Sequence, residues 1–351
     1  MRDRLIDTAK GFGIILVVFG HINTSGVINE LISNFHMPLF FFLSGAVLIY
    51  SKSNSINIKK KIKALLFPYW FFSLFFFVYW WFIESKYIVP VPIGPIYSGF
   101  LGNLPFVIQY FINILTAWAI GWSMGYDAPL WFLPTMFIAV VSYIIIRKVL
   151  GKYSIICCAI CASVFFIGGD KIPVMPCGFD IAMRVLPLFW MGEKTYVNLR
   201  DMSIIRSAIL AVIAFVLYYI IIHFYHPGLS MIGRSFGVWW QFYLMSFLGI
   251  TSFILLCKIL LIPSFNIVEW LGKSSIIILS VHLPMIHLFL WYLLPKITIY
   301  NFDIVSQSLW MSLVATIFIT LVVLPFIYII NRYLPFIIGR KHKIVVKEIN
   351  N

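Results

Sequence analysis

Long apolar runs separated by short polar connections make up nearly the whole chain. A helix needs about 20 mainly apolar residues to cross the hydrocarbon core of a bilayer, and ten runs approach or reach that length. The pattern therefore predicts an all-α polytopic membrane protein with about ten transmembrane helices. We place these spans at residues 9–24, 34–50, 64–83, 129–147, 153–169, 181–197, 205–224, 238–257, 270–293 and 306–330.

Basic residues concentrate in alternate connections between these spans. They follow the second, fourth, sixth, eighth and tenth spans, whereas the other connections carry few. Because Lys and Arg are enriched in cytoplasmic loops, the alternation predicts that both termini are cytoplasmic. The basic residues on this side include Lys52, Lys59, Lys60, Lys61, Lys63, Arg147, Lys148, Lys152, Lys194, Arg200, Arg206, Lys258, Lys273, Arg332, Arg340, Lys341, Lys343 and Lys347.

The stretch between the third and fourth spans, residues 85–127, does not fit a simple alternation. Residues 104–124 are apolar enough to cross the membrane, but a crossing there would move the basic residues after the fourth span outside and invert every later loop. The stretch also contains three prolines within residues 89–95, which regular helix does not accommodate. We therefore predict an extracytoplasmic segment that lies on the membrane or dips into it.

The composition supports membrane integration and changes how the net charge is interpreted. Of the 351 residues, 62% are hydrophobic and only 11% are charged, whereas a soluble domain carries about 25% charged residues. The mean hydropathy is +0.98. A formal net charge of +14 would suggest nucleic acid binding in a soluble protein. Here it follows from the cytoplasmic loops, so we expect the lipid bilayer as a partner and no nucleic acid.

The domain organisation is predicted to be simple. We expect one membrane domain over residues 1–335 and a short basic cytoplasmic tail over residues 336–351. The first apolar run is preceded by acidic residues and lacks a small-residue cleavage site, so it is predicted to be a retained span and not a signal peptide. The location that follows is a cell membrane, with the chain crossing it several times.

The first span carries three titratable residues, Asp7, Lys10 and His21. Lys10 and His21 are eleven residues apart, which at ~100° per residue places them on one helix face about 16 Å apart. Asp7 lies one turn before Lys10 on that face. Ionisable groups inside a membrane span are costly and usually line a polar cavity or path. The plainer alternative is an interfacial Asp7–Lys10 pair at the helix entrance and a helix-end histidine bonded to a loop.

Further polar and aromatic residues stand within or beside the later spans. His36 precedes the small pair Ser44-Gly45, which would allow close helix approach. His282 follows Lys273 by nine residues, or about 13 Å, and should lie near the depth of His21. The ordinary alternatives are interfacial arginines, aromatic belt residues and a packed histidine. The remaining candidates are Trp131, Arg184, Arg234 and Trp239.

Five segments in this order resemble the acyltransferase-3 family of bacterial membrane O-acyltransferases. They are Asp7-x-x-Lys10-Gly11 with His21 eleven residues after Lys10, His36-x-Pro38-Leu39-Phe40-Phe41-Phe42-Leu43-Ser44-Gly45, Leu130-Trp131-Phe132-Leu133-Pro134, the segment Arg184 to Gly192, and Leu271-Gly272-Lys273-Ser274-Ser275 leading to His282. The resemblance covers nearly the whole chain. The Lys-Gly form and the Trp-Phe-Leu-Pro motif are most similar to the branch of fucose 4-O-acetylase-like proteins, which acetylate sugars.

The resemblance implies transfer of an acetyl group from cytoplasmic acetyl-CoA to a hydroxyl of a cell-surface carbohydrate, in the bacterial cytoplasmic membrane. The acceptor would be O-antigen, capsule, exopolysaccharide or a lipid-linked precursor. Two positions depart from the pattern of many members: Lys10 stands where they have Arg, and Met136 stands where they have Glu. Lysine offers a phosphate a point charge in place of a bidentate fork. We expect no appended esterase-like domain of the kind that some members carry.

Roles for the candidate residues follow from the chemistry of acyl transfer, which needs a base for the hydroxyl proton and groups that orient the thioester. His21 is the candidate base because imidazole titrates near neutral pH. Lys10 would bind the phosphates of CoA, and Asp7 would orient Lys10. His36 would share the proton transfer or bind the sugar. The residues expected on the acceptor side are Trp131, Arg184, Arg234, Trp239 and His282.

Several alternatives remain open from the sequence. Direct transfer to the acceptor is preferred over an acyl-enzyme on His21, which the sequence does not exclude. We expect no tightly bound cofactor and no metal, since Cys158 and Cys161 form a C-x-x-C pattern inside an apolar helical run without a second cysteine pair. The alternative function is a proton-coupled transporter that uses the intramembrane His, Asp and Lys residues as a relay. A scaffold or a polysaccharide polymerase is a third.

Overall fold

The computed structural model describes residues 3–23, 26–50, 57–84, 102–118, 129–225, 228–261 and 266–340, and the regular elements in these ranges are helices. The α-helices are α1 (Arg4–Ile22), α2 (Gly26–Ser33), α3 (His36–Val47), α4 (Ile58–Lys61), α5 (Phe67–Tyr79), α6 (Phe106–Thr116), α7 (Phe132–Leu150), α8 (Ser154–Gly168), α9 (Phe179–Asp201), α10 (Ile204–Tyr225), α11 (Trp239–Ile259), α12 (Asn266–Lys273), α13 (Ser275–Ile286), α14 (Leu294–Ile297), α15 (Phe302–Gln307) and α16 (Leu309–Tyr333). π-helical turns at Ile62–Leu66, Trp80–Glu84 and His287–Leu293 extend α4, α5 and α13.

Eight segments of the described chain are long and apolar enough to cross a membrane, and each of the ten predicted spans coincides with helix. One of the eight, Pro129–Gly168, has 40 residues and contains both α7 and α8, which are separated by a turn at Gly151. Helix α9 covers the predicted sixth span but is not among the eight. The all-helical, multi-pass membrane fold is thus confirmed, while the count of ten and the side of the termini stay predictions.

The segment expected not to cross the membrane contains one short helix in its described part. Helix α6 has 11 residues, or about 16 Å of length, against a hydrocarbon core of about 30 Å. It ends at Ala117, whose φ of +46° is left-handed. The next residue, Trp118, donates its indole N–H to the carbonyl of Val174 at 2.8 Å. The helix is therefore too short to span, while 85–101 and 119–128 lie outside the described residues.

Helix α1 lies at the centre of the bundle and contacts α3, α11, α12, α13 and α16. Its flanks are consequently covered by protein, and Asp7 and Thr8 are only 3% and 0% exposed. An ionisable side chain on such a helix faces other helices and not lipid. The central position of α1 places the titratable residues of the first span inside the protein.

Glycines bring the backbones of two helix pairs into direct contact. A Cβ added to Gly272 of α12 would lie 1.9 Å from the Asp7 carbonyl oxygen and 2.8 Å from the Gly11 nitrogen of α1. On α3 and α9, a Cβ at Gly45 would lie 2.1 Å from the Phe189 oxygen. Close approach through small residues is a common way for membrane helices to associate. The predicted role of Gly45 is confirmed, and Gly272 has the same role.

Polar groups at one end of the bundle tie the N-terminus of α1 to α3 and α9. Asp3 caps α1 by accepting from the Leu5 amide at 2.9 Å, and it also accepts from the Tyr50 hydroxyl at 2.6 Å. Arg200, at the end of α9, reaches the same carboxylate at 3.5 Å. We call this the basic end, because Lys59–Lys63, Arg147 and Lys273 also lie at helix termini there. It corresponds to the predicted cytoplasmic side.

Of the predicted basic tail, residues 336–351, the structure describes residues 336–340. Pro335–Ile338 form a 3-10 turn in which Ile337 and Ile338 are 1% and 7% exposed. Gly339 follows, and a Cβ added to it would lie 2.5 Å from the carbonyl oxygen of Lys63. The described start of the tail therefore packs against the bundle.

The close approach of α3 and α9 predicts the effect of one added methyl group. Gly45→Ala should lower the free energy of unfolding by about 1–3 kcal/mol, since its Cβ would overlap the Phe189 carbonyl and force the two helices apart. The measurement is the thermal unfolding midpoint of the purified protein in detergent. Gly20→Ala is the matched control, because the nearest atom to its added Cβ lies at 3.9 Å. Equal midpoints for the two variants would contradict the packing described.

Candidate functional site

Two histidine rings meet between α1 and α13, His21 in the last turn of α1 and His282 on α13. Their ring centroids are 5.1 Å apart with the planes tilted by 51°. His21 follows Gly11 by ten residues, and His282 follows Gly272 by ten residues. Ten residues of continuous helix place His21 about 15 Å from Gly11 along α1, whereas the chain from Gly272 passes from α12 to α13 at Ser274, and α13 itself packs on α1. The prediction that His282 lies near the depth of His21 is confirmed by the contact of their rings.

Backbone hydrogen bonds fix the tautomers of two histidines at this site. The Nδ1 of His282 lies 2.9 Å from the carbonyl oxygen of Ile278, and the Nδ1 of His36 lies 2.8 Å from that of Ile32. A carbonyl only accepts, so each Nδ1 carries the proton and each Nε2 carries the lone pair in the neutral ring. Both rings therefore present a basic nitrogen.

Three further histidines lie near His21 in this region. His21 interacts electrostatically with His282, His36 and His287. His282 is 0% exposed and His21 is half-buried. His287, the first residue of the π-helical turn after α13, packs edge-to-face on Trp291 with centroids 5.4 Å apart. The three neighbours of His21 named here are imidazoles, and none is a carboxylate.

Lys10 lines a cavity of about 130 Å³ between α1, α3, α7 and α13. The lining is mostly apolar, with two hydroxyls, Ser44 and Ser275. Four of the five motif segments contribute to it, so helix packing brings residues from distant parts of the sequence to one cavity. The other lining residues are Ile14, Met37, Phe40, Leu65, Phe132, Leu133, Met136, Ile276 and Leu279.

Both positions at which the sequence differs from many family members, Lys10 and Met136, line this cavity. Met136 is 5% exposed and lines the cavity together with Lys10. An apolar side chain in place of a carboxylate leaves the cationic lysine facing thioether and aromatic surface. The departure therefore changes the charge of the cavity that Lys10 lines.

The cavity and the histidine pair are stacked along one groove between α1 and α13. Ile14 lines the cavity, and His21 lies seven residues, or about 10 Å, farther along the same face of α1. Leu279 lines the cavity from α13, and His282 follows it by three residues. Lys10 and His21 thus lie on one face of α1, as predicted, but His21 does not line the cavity around Lys10.

Ion pairs gather around Asp7 where α1 meets α12. The Lys273 Nζ lies 3.9 Å from Asp7 and 3.8 Å from Glu269, and Arg4 contacts Glu269 at 2.7 Å. Asp7 is buried. The sequence analysis did not pair Asp7 with Lys273. The predicted role of Asp7 in orienting Lys10 stays a prediction.

The predicted acceptor-side arginines lie together around a buried carboxylate. Asp180, 2% exposed, accepts from Arg234 at 2.8 Å and faces Arg184 at 3.5 Å. Arg184 also donates to the Phe165 carbonyl at 2.7 Å, and its guanidinium lies 4.8 Å from the centre of the Phe236 ring. The two arginines are thus brought to one cluster, apart from the histidine pair.

The two predicted aromatic residues have different surroundings. Trp131 is 5% exposed and packs edge-to-face on Phe132 at 6.1 Å between centroids. Trp239, at the start of α11, is 60% exposed. Trp131 therefore lies behind the cavity wall, and Trp239 lies on the outer surface of the protein. The structure does not bring them together.

Comparison with known protein families assigns the chain. The family model of an acyltransferase domain, Acyl_transf_3, matches residues 3–332. The chain belongs to the acyltransferase-3 family. It is a multi-pass membrane acyltransferase, since the matched region holds the membrane-crossing helices. A search of curated proteins found no match, and neither did a search of solved structures.

Sequence reasoning missed two carboxylates of this acyltransferase, Asp180 and Glu269. Both are buried and both contact a basic residue four positions later, Arg184 and Lys273. Spacing of i, i+4 between opposite charges on a helix is a signal that could have found them. Their contacts to Arg234 and Arg4 come from distant parts of the chain and have no such local signal.

Removing the carboxylate of Asp180 should destabilise the acyltransferase. In Asp180→Asn two arginines would lose their buried counter-charge, and breaking a buried ion pair costs about 3–5 kcal/mol. We expect a clearly lower unfolding midpoint in detergent. The control is Asp201→Asn, whose side chain is 58% exposed and whose pKa is lowered by the hydrogen bond from Arg200; screening makes its pair worth little. Similar midpoints for both variants would be evidence against a buried cluster.

Proposed function

We propose that this acyltransferase moves an acetyl group from cytoplasmic acetyl-CoA to a hydroxyl of a cell-surface carbohydrate. The acceptor would be O-antigen, capsule, exopolysaccharide or a lipid-linked precursor, and the nearest branch would be that of fucose 4-O-acetylase-like proteins. The enzyme would lie in the bacterial cytoplasmic membrane with ten spans and the basic end in the cytoplasm. The family match supports the acyl transfer, and the site supports the donor and acceptor as follows.

The observation that carries the proposal is the pairing of His21 with a second neutral imidazole inside a membrane bundle. A hydroxyl attacks a thioester well only if a base accepts its proton as the new bond forms. A neutral imidazole can do this without the desolvation cost of a buried carboxylate. His21 is half-buried, whereas its partner His282 is fully buried. His21 is the proposed base, with His36 near it on the acceptor side.

The donor would enter at the basic end of α1. CoA is an anion through its phosphates, and Lys10, Lys273 and Arg4 supply cationic groups where α1 meets α12. The mostly apolar cavity beyond Lys10 suits a narrow pantetheine arm. To reach His21 the thioester would continue past Ile14 and Leu279 for about 10 Å along the same groove. We propose that the arm opens this part of the groove when it binds.

The acceptor would approach from the opposite end, where the arginine cluster and exposed aromatic surface lie. Guanidinium donors and aromatic faces suit sugar hydroxyls and ring faces. Arg234 is the more accessible arginine of the cluster, with 16% of its side chain exposed against 6% for Arg184. We therefore place Arg234 nearer the acceptor and Arg184 behind it. Trp239 would extend this surface toward the membrane interface.

The function itself is tested by the O-acetyl content of surface polysaccharide. We expect O-acetyl signals in the proton NMR spectrum of polysaccharide from the wild-type strain and their loss on deletion of the gene. Complementation with the full chain should restore them. An unchanged O-acetyl signal in the deletion strain would overturn the proposal.

His21→Ala should abolish complementation while the protein still inserts and folds. Loss of a general base costs about 10²- to 10⁴-fold in rate, so the O-acetyl signal should fall below detection. Expression level and unfolding midpoint of the variant are measured in parallel. His223→Ala is the matched control, because His223 is an exposed membrane histidine of α10 outside the site. Full acetylation by His21→Ala would remove the proposed base.

Lys10→Ala should raise the KM for acetyl-CoA without a comparable change in the KM for the acceptor. A charge-assisted hydrogen bond to phosphate is worth about 1.5–3 kcal/mol, which corresponds to a KM about 10- to 100-fold higher. The assay follows transfer from radiolabelled acetyl-CoA to polysaccharide isolated from the deletion strain. Lys148→Ala removes an exposed charge from the same end and serves as the control. Equal effects of Lys10→Ala on both KM values would argue against a CoA contact.

A further inference from the structure

His282 keeps one basic nitrogen without a partner in the most buried part of the site. The residue is 0% exposed. Its Nδ1–H donates to the Ile278 carbonyl at 2.9 Å, so its Nε2 carries the lone pair. Among the described residues no group donates a hydrogen bond to this Nε2. The tautomer is therefore fixed by the helix, and the acceptor that it creates is left open.

An open buried acceptor of this kind is costly and needs an explanation. Leaving a buried polar atom unpaired costs about 1–3 kcal/mol, and such atoms are concentrated where a ligand or a catalytic partner completes the bond. The aromatic ring against His282 is that of His21, at 5.1 Å between centroids. A neutral imidazole always carries one N–H. The missing donor is thus present on the neighbouring ring.

We propose that His282 is a positioning residue for His21, and this inference rests on the acyl transfer proposed above. The Nε2 of His282 accepts the N–H of His21, which leaves the other His21 nitrogen with its lone pair toward the acceptor hydroxyl. The ring centroids are 5.1 Å apart, which brings the ring nitrogens within range of a direct bond or of one bridging water once the rings are suitably rotated. Catalytic hydrogen bonds are commonly long or misaligned before substrate binds, so a small ring rotation completes this one.

The bond would strengthen during the reaction. The acceptor oxygen forms a bond to the acyl carbon, the bond from that carbon to the CoA sulfur breaks, and the hydroxyl proton moves to His21. His21 is then an imidazolium with two N–H groups, and it later returns a proton to the thiolate of CoA. A hydrogen bond from a charged donor is about twice as strong as one between neutral groups. His282 therefore stabilises the state in which His21 carries charge, which lowers the barrier.

The choice of imidazole as the partner fits the surroundings. A carboxylate at this depth would need a full counter-charge to offset its desolvation, and the three neighbours of His21 named above, His36, His282 and His287, are imidazoles. A neutral ring orients His21 without bringing a net charge into the bundle. His36 differs from His282 in its burial, because His36 is half-buried and His282 is fully buried. The open, fully buried nitrogen belongs to His282.

Two substitutions separate the Nδ1 and Nε2 functions of His282. Asparagine retains a donor near the Nδ1 position for the Ile278 carbonyl but has no acceptor near Nε2. Glutamine places its carbonyl oxygen near the Nε2 position. For transfer from acetyl-CoA to polysaccharide of the deletion strain, we expect His282→Asn to lower kcat about 10²-fold with the KM for acetyl-CoA within about twofold. His282→Gln should retain about tenfold more activity than His282→Asn.

The outcomes distinguish this inference from the proposed function. If the wild-type chain transfers no acetyl group, the proposed function fails. If the wild-type chain is active, equal kcat values for the two variants, or a loss that appears in KM, overturn the role of His282. Unfolding midpoints are measured for both variants. Should His282→Asn fail to fold, a folded His282→Gln as inactive as His21→Ala overturns the inference, and retained activity above that level supports it.

Discussion

The backbone contact between Gly11 and Gly272 sets the register on which the site depends. Any side chain at Gly272 would overlap the Asp7 carbonyl, so no other residue allows α1 and α12 to lie this close. The contact fixes the position of α12 against α1, and α13 begins two residues after α12 ends. Direct packing of α13 on α1 then brings His282 against His21, about 15 Å along α1 from Gly11. The glycine contact and the helix packing that follows it together place the two rings.

The ion pairs of the site and its histidines occupy separate parts of the structure. Asp7, Lys273 and Glu269 form ion pairs near the basic end, and Asp180 with its arginines lies in a separate cluster. Among the described residues, His21 has the imidazoles of His36, His282 and His287 as electrostatic neighbours. This division follows from the cost of an isolated charge in an apolar interior, which falls when the charge is paired or lies near water. A histidine is the side chain that can accept a proton there and still be neutral at rest.

The sequence predicted those features that depend on local period and composition. Helix positions, the shared face of Lys10 and His21, the depth of His282 and the close packing at Gly45 all follow from residue spacing along single helices. Contacts between distant segments were not predictable in this way. The pairing of Asp7 with Lys273, the second arginine on Asp180 and the cavity built from four motifs depend on how the helices pack. The placement of Trp239 on the outer surface likewise depends on the tilt and rotation of α11.

Donor and acceptor would approach this membrane enzyme from opposite sides, which limits the part of a charged donor that enters the bundle. The phosphates of CoA need cationic partners, and the described residues near Lys10 offer these only where α1 and α12 meet at the basic end. The proposed base, His21, lies about 10 Å beyond Ile14 along α1, outside the cavity that Lys10 lines. A donor held by its phosphates would therefore present only its uncharged thioester arm to His21. The acyl group could thus cross the bilayer while the charged phosphates of CoA stay on the donor side, and the acceptor could remain on the opposite side during the reaction.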